Sequence, residues 1–179
     1  AGRIGRLYTP HGIVETPVLL PVVNPHLQLI PAPELEEMGA NILITNSYII
    51  HQDEALKAQA LEKGIHSLLG FNGPIMTDSG AFQLSVYGNI DVKPREILDF
   101  QYAIQSDICV PLDIPTPPDV PKEKAVSDLR ETESRLEEAL KNRGASLLAG
   151  PIQGSTYLDL REAAARFLRN KGFDVYPIG

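Results

Sequence analysis

The feature that most limits what this chain can fold into is a rhythm. Six short apolar runs rich in β-forming residues are separated by stretches whose apolar residues recur at helical spacing. The runs are Pro17 to Val23, Ala40 to Asn46, Gly73 to Asp78, Asp107 to Asp113, Leu147 to Gln153 and Phe173 to Gly179. Such alternation marks parallel strands joined by crossover helices. Continuous apolar character, as in Ile42-Leu43-Ile44, fits strands covered on both faces. The clearest helix spans Lys122 to Lys141, where Val126, Leu129, Leu136 and Leu140 share a face and Pro121 suits the first turn. Glu131 and Arg135 stand one turn apart on its polar side, so the charge-dense stretch to Glu138 reads as a solvated face. Further helices are expected around Ile97, Gln101 and Ile104 after Pro94, and around Leu160, Ala164 and Phe167 before Gly172. Ahead of the first strand, Ile4 to Val14 alternates apolar and polar residues around Pro10-His11-Gly12, the pattern of a hairpin.

Periodicity alone fits either a doubly wound sheet or part of a (β/α)8 barrel. The polar residues choose between them. The third, fourth and fifth runs each end in a polar group, Asp78, Asp113 and Gln153, and a parallel barrel opens all its strand C-termini on one rim. No Gly-x-Gly-x-x-Gly follows the first strand and no phosphate-loop Gly-Lys-Ser/Thr occurs, which lowers the nucleotide-cofactor form of the open sheet. The expectation is an α/β chain, a single domain over 1–179, forming about six strands of an incomplete barrel behind an N-terminal hairpin. Six of eight strands leave an open edge, so further strands, from a longer protein or a second chain, are expected to complete it.

Composition narrows the function classes. With 43% apolar and 22% charged residues, the 179-residue chain can build an ordinary globular core. Its apolar runs are far shorter than the roughly 20 residues of a membrane helix, so a cytoplasmic protein without a membrane partner is expected. A net charge of −7 argues against this segment alone wrapping a phosphate backbone. The single Cys109 excludes an internal disulfide and reads as a core residue. His11, His26, His51 and His66 show no ligand spacing, and no metal is read from the sequence itself.

Met76-Thr77-Asp78-Ser79-Gly80-Ala81-Phe82-Gln83 is the most informative stretch, placing a carboxylate, a hydroxyl, a glycine and an aromatic ring at one strand end. Asp78 can serve as general acid or base, Ser79 can fix its orientation and Phe82 can stack on a planar base. Asp78 equally suits the cap of the following helix, the commoner event at such a turn. Asp113, in the apolar and Pro-braced Val110-Pro111-Leu112-Asp113-Ile114-Pro115, needs donors, supplied either by the amide edge of a guanine or by loop backbone amides. Gln153, between Ile152 and Gly154, brings an amide that both donates and accepts. Asn46-Ser47-Tyr48 and Asn24-Pro25-His26 stand at the same rim and are left outside the strongest candidates.

Thr77-Asp78-Ser79-Gly80-Ala81-Phe82-Gln83, Leu112-Asp113-Ile114-Pro115-Thr116-Pro117-Pro118 and Ile152-Gln153-Gly154-Ser155 resemble the tRNA-guanine transglycosylases. Thr45-Asn46-Ser47-Tyr48, Asn24-Pro25-His26 and Asp174-Val175-Tyr176-Pro177-Ile178-Gly179 resemble the archaeal branch, and Ala81 stands where many relatives carry Gly. The resemblance implies a barrel enzyme that exchanges a guanine in the tRNA D-loop for 7-cyano-7-deazaguanine (preQ0) through a covalent ribosyl intermediate, toward archaeosine. It implies catalysis for Asp78, base recognition for Asp113 and Gln153, support for Ser79 and stacking for Phe82. It also implies a nucleophilic Asp, a structural zinc with Cys and His ligands, and RNA-binding domains, all beyond this chain, with tRNA as partner and a homodimer as assembly. Other readings are a noncatalytic base-binding or scaffold subunit of a heteromeric transglycosylase and, more distantly, a barrel hydrolase or lyase acting on a nucleoside.

Overall fold

The structure, a computed structural model, describes residues 2–83 and 92–179. The chain opens with an antiparallel hairpin, β1 (Gly5–Thr9) and β2 (Gly12–Thr16), in register from Gly5 opposite Thr16 to Thr9 opposite Gly12. A parallel sheet follows: β3 (Val22–Val23), β4 (Leu43–Asn46), β5 (Ile75–Asp78), β6 (Ile108–Cys109) and β7 (Leu147–Leu148). Its spatial order is the chain order, β3-β4-β5-β6-β7, without the reversal that defines a doubly wound sheet. The sixth run continues the series through parallel bridges, Ala149 with Val175 and Ile152 with Ile178.

Helices alternate with the strands; those bounded within the described residues are α1 (Ala32–Glu37), α2 (Ser47–Gln52), α3 (Glu54–Leu69), α4 (Pro94–Ala103), α5 (Lys122–Lys141) and α6 (Leu158–Leu168), and residues 81–83 are also helical. The periodicity of α5 gives its full extent, and Pro121 stands at its N-cap rather than in its first turn. Helices α1, α2 and α3 are not resolved by pattern, because α1 and α2 are single turns and a half, and Gly64, at φ 80°, breaks the path of α3. Local chemistry still sets their starts. Asp53 accepts from Ala55 N and Leu56 N at the head of α3, at 2.9 and 3.0 Å.

The two faces of the sheet are packed differently. Leu43 and Ile75 turn toward the helices, packing with Ile50, Ile65, Ile97 and Phe100. Ile42, Met76, Ile108, Val110 and Ala149 turn the other way, into a cluster that contains strand and loop residues together with Val14 and Leu7 of the hairpin and, among the described residues, no helix residue. Successive crossovers of one hand, in monotone strand order, place the helices α1 to α6 on the same side. The hairpin covers part of the opposite face.

The ladders are shorter than the apolar runs. β6 stops at Cys109, because Val110 pairs with a side chain: its N–H donates to Gln101 Oε1 and its carbonyl accepts from Gln101 Nε2, both at 2.9 Å. The buried amide of α4 thus takes the place of a neighbouring strand. Thr77 of β5 donates to the same Gln101 Oε1 at 2.8 Å, tying β5, β6 and α4 at one polar point in the core. Glu131 and Arg135 pair at 2.9 Å as their spacing predicts, but Arg135 is turned inward, with Nη1 3.3 Å from the Leu112 carbonyl. That part of α5 braces the loop carrying Asp113 and is not a purely solvated face. Among the described residues, no helix is long and apolar enough to cross a membrane.

Candidate active site

Parallel strands in sequence order deliver their last residues to one rim. Asp78 ends β5 and Asn46 ends β4, and the two are direct register partners. Asn46 Nδ2 lies 3.4 Å from Asp78 Oδ2 and 3.0 Å from Gln83 Oε1, while its Oδ1 accepts from Ile49 N at 3.0 Å and caps α2. One amide therefore ties the strand-end carboxylate to the start of the next helix. Asp78 Oδ1 also accepts from Ser79 N at 2.8 Å, within the turn that precedes the helical residues 81–83. Burial raises the carboxyl of Asp78 above its ordinary value, against the opposing pull of the Ser79 and Gly80 backbone amides. A carboxyl so raised is a better proton carrier near neutral pH.

Ser79 supports Asp78 through its backbone. Its hydroxyl, fully buried, finds no hydrogen-bond partner among the described residues. An orphan hydroxyl of this kind costs free energy unless a ligand or water meets it. Gly80, at φ 86°, allows the turn: a Cβ there would stand 2.4 Å from Tyr48 Cβ. Phe82 is 65% exposed beyond the end of β5.

Asp113 and Gln153 form the second part of the site. They meet across 40 residues, Gln153 Nε2 donating to Asp113 Oδ2 at 2.6 Å, both buried. The main partner of Asp113 is thus a side chain from the next strand run, a pairing that the sequence does not show. Burial raises the Asp113 carboxyl; Gln153 opposes the rise and the charge of Asp78 adds to it, so the two carboxylates share one electrostatic environment. The Asp113 loop is fastened from several sides: Thr132 Oγ1 accepts from Ile114 N at 3.0 Å, Thr116 Oγ1 donates to Asp128 Oδ2 at 3.1 Å, and Ser155 Oγ donates to the Pro117 carbonyl at 2.8 Å. Gly154, at φ 135°, runs so close to α6 that a Cβ would stand 2.8 Å from Arg161 N. His26, Tyr48, Gln52, Asp53 and Gln83 line a shallow cleft beside Asp78.

Of the five residues singled out by sequence, Asp78 ends its strand, Ser79, Asp113 and Gln153 lie in the segments that follow strand ends, and Phe82 stands in the helical stretch that opens after Gly80. Asn46 belongs with them. Its signal was its place at the end of the second run, where register makes it the neighbour of Asp78. Cys109 is buried and its thiol is pushed up to about 12 by burial, the state of an inert core residue.

The rim defines a class of protein: an α/β fold whose strand ends gather a buried carboxyl, Asp113, a half-buried one, Asp78, two amides and the exposed residue Phe82. The comparisons specify it further. The model of the queuine tRNA-ribosyltransferase family matches residues 1–179, and the chain belongs to that family. It is 63% identical over 179 residues to the tRNA-guanine(15) transglycosylase of Methanosarcina barkeri, an alignment covering 99% of this chain and 36% of the relative. The enzymes of the same name from Haloarcula marismortui and Pyrococcus abyssi are 55% and 54% identical, each covering 100% of this chain and 37% and 30% of theirs. The chain thus spans about a third of the length of the curated relatives it matches.

Proposed function

We propose that this chain is the N-terminal portion of the catalytic (β/α)8 barrel of a tRNA-guanine transglycosylase of the archaeal type, replacing a guanine of tRNA with preQ0 on the route to archaeosine. The observation that carries the reading is the convergence of Asp78, Asp113 and Gln153 on one rim within a family of base-exchanging enzymes. One-sided helices and monotone strand order support a barrel, and further strands would close the sheet beyond β3 and the sixth run.

In this reading the buried pair recognises the base. Asp113 accepts from the N1 and exocyclic amino hydrogens of a guanine-like edge, and Gln153 supplies a further donor and acceptor beside it. Phe82 covers the ring. The bond that breaks joins the base nitrogen to the ribose anomeric carbon, which passes through an oxocarbenium-like state; a carboxylate bonds to that carbon and the leaving base takes up a proton. Asp78, with its raised carboxyl, gives that proton and takes one from the incoming deazaguanine, which then displaces the carboxylate. The nucleophilic carboxylate is assigned to a residue outside this chain.

The structural zinc implied by the resemblance takes a cysteine-rich ligand set, which is assigned beyond this chain: Cys109 is its only cysteine and is a buried core thiol.

The test is substrate selectivity of the full-length protein. Labelled guanine or preQ0 should enter tRNA while free guanosine is left untouched. Hydrolysis of free guanosine without base exchange would instead identify a nucleosidase-like barrel.

A further inference from the structure

At the other end of the strands, away from the base site, three residues from distant parts of the chain converge. His11 lies in the hairpin turn, His66 in the last turn of α3, and Asp107 immediately before β6. Asp107 is completely buried, and its ion-pair partners are the two histidines: His11 Nδ1 lies 2.9 Å from Oδ1 and His66 Nε2 lies 2.9 Å from Oδ2. The imidazole rings stack at 3.6 Å with planes 25° apart, which sets their nitrogen tips side by side over one carboxylate.

We infer that His11, His66 and Asp107 form a binding site for a first-row divalent metal ion of the zinc and cobalt class, separate from the base-exchange site. Two imidazoles and one carboxylate are a donor set suited to such ions, leaving coordination positions open to water. The three ligand atoms lie within 4.8 Å of one another, the one such convergence of His, Cys, Asp or Glu among the described residues. Adjacent ligands around an ion with bonds of ~2.1 Å stand about 3 Å apart in an octahedral arrangement, close to the two His–Asp separations.

The surroundings also fit. Asp107 is held from behind by backbone donors, His11 N to Oδ1 at 3.0 Å and Ile75 N to Oδ2 at 2.8 Å, the outer support that orients a ligating carboxylate. In front lies a polar cleft, where Lys63, Ser67, Asn72 and Gln105 accompany the histidines and water can complete the coordination. Neutral imidazoles release their ligating nitrogens by a tautomer change, the proton moving to the other ring nitrogen; a protonated ring releases its proton to solvent. The ion would join the hairpin, α3 and the sheet, and so act as a staple.

The experiment is titration of the untagged full-length protein with Co2+ and Zn2+. The expected result is one equivalent of metal lost in His66→Gln and in His11→Gln, with weak visible cobalt bands whose loss leaves any thiolate-to-cobalt absorption unchanged. Zn2+ should raise the Tm of the wild type by several degrees and leave that of the variants unmoved. Because a variant can fail to fold, the wild type is also followed by imidazole nitrogen NMR, in which Zn2+ should shift the His11 and His66 ligating nitrogens. Equal metal content in wild type and folded variants, or imidazole signals indifferent to Zn2+, would overturn the site and leave a purely hydrogen-bonded clamp.

Discussion

Asn46 and Asp78 are register partners at the ends of adjacent parallel strands, and the amide of the first reaches the carboxylate of the second while its carbonyl caps α2. Two substitutions separate these duties. Asn46→Ala removes both and should cost ~1 kcal/mol, the usual worth of a helix cap, measured by urea unfolding. Asn46→Asp keeps a capping oxygen but sets a second carboxylate beside Asp78. Like charge raises the Asp78 carboxyl further, so the acid limb of the exchange pH profile should move to higher pH.

Asp78 itself is expected to trade stability for chemistry. Its carboxyl is raised by burial, so between the unfolded and folded pKa values the native state binds more protons than the unfolded state. Stability therefore falls as pH rises through that window, and the penalty is complete above it. Asp78→Asn should be more stable than wild type at pH 7, with the advantage vanishing as pH falls toward the unfolded Asp value of about 3.9. Thermal unfolding across pH checks the sign.

Gln153→Ala leaves the buried Asp113 without its 2.6 Å donor and should cost about 1–3 kcal/mol, the penalty of an orphaned buried group. Gln153→Glu should weaken base binding more at neutral than at acidic pH, because two carboxylates at that spacing cannot both ionise cheaply. Calorimetric titration with preQ0 at two pH values distinguishes the cases.

Gly80→Ala should destabilise the protein by about 2–4 kcal/mol, combining a left-handed backbone with overpacking against Tyr48. Denaturant midpoints of Gly80→Ala and Gly39→Ala separate the two effects. Gly39, at φ 97°, has nothing within 4 Å of an added Cβ, so it carries the backbone cost alone and should lose less.

The strand rhythm, the hairpin, the extent of α5 and the rim positions of Asp78, Asp113 and Gln153 were legible because each depends on local pattern. Apolar runs ended in polar residues, and parallel topology carried those ends to one side. What was not legible depends on contacts between runs. The Asp113–Gln153 bond spans 40 residues, and the early end of β6 follows from the amide of Gln101, to which no periodicity assigns a role. The histidines, scattered in sequence, showed no ligand spacing. Asp107 looked like the unremarkable first residue of a strand run, yet the fold brings His11 and His66 to it across 96 and 41 residues.

The most direct test of the central claim is exchange of radiolabelled guanine out of prelabelled tRNA by the full-length protein, comparing wild type with Asp78→Asn. Loss of a positioned acid-base carboxylate should slow exchange by roughly 10²–10⁴-fold while the protein stays folded and still binds tRNA. Exchange at an undiminished rate in the folded variant would contradict the account, taking the chemistry away from Asp78 and leaving this chain a scaffold.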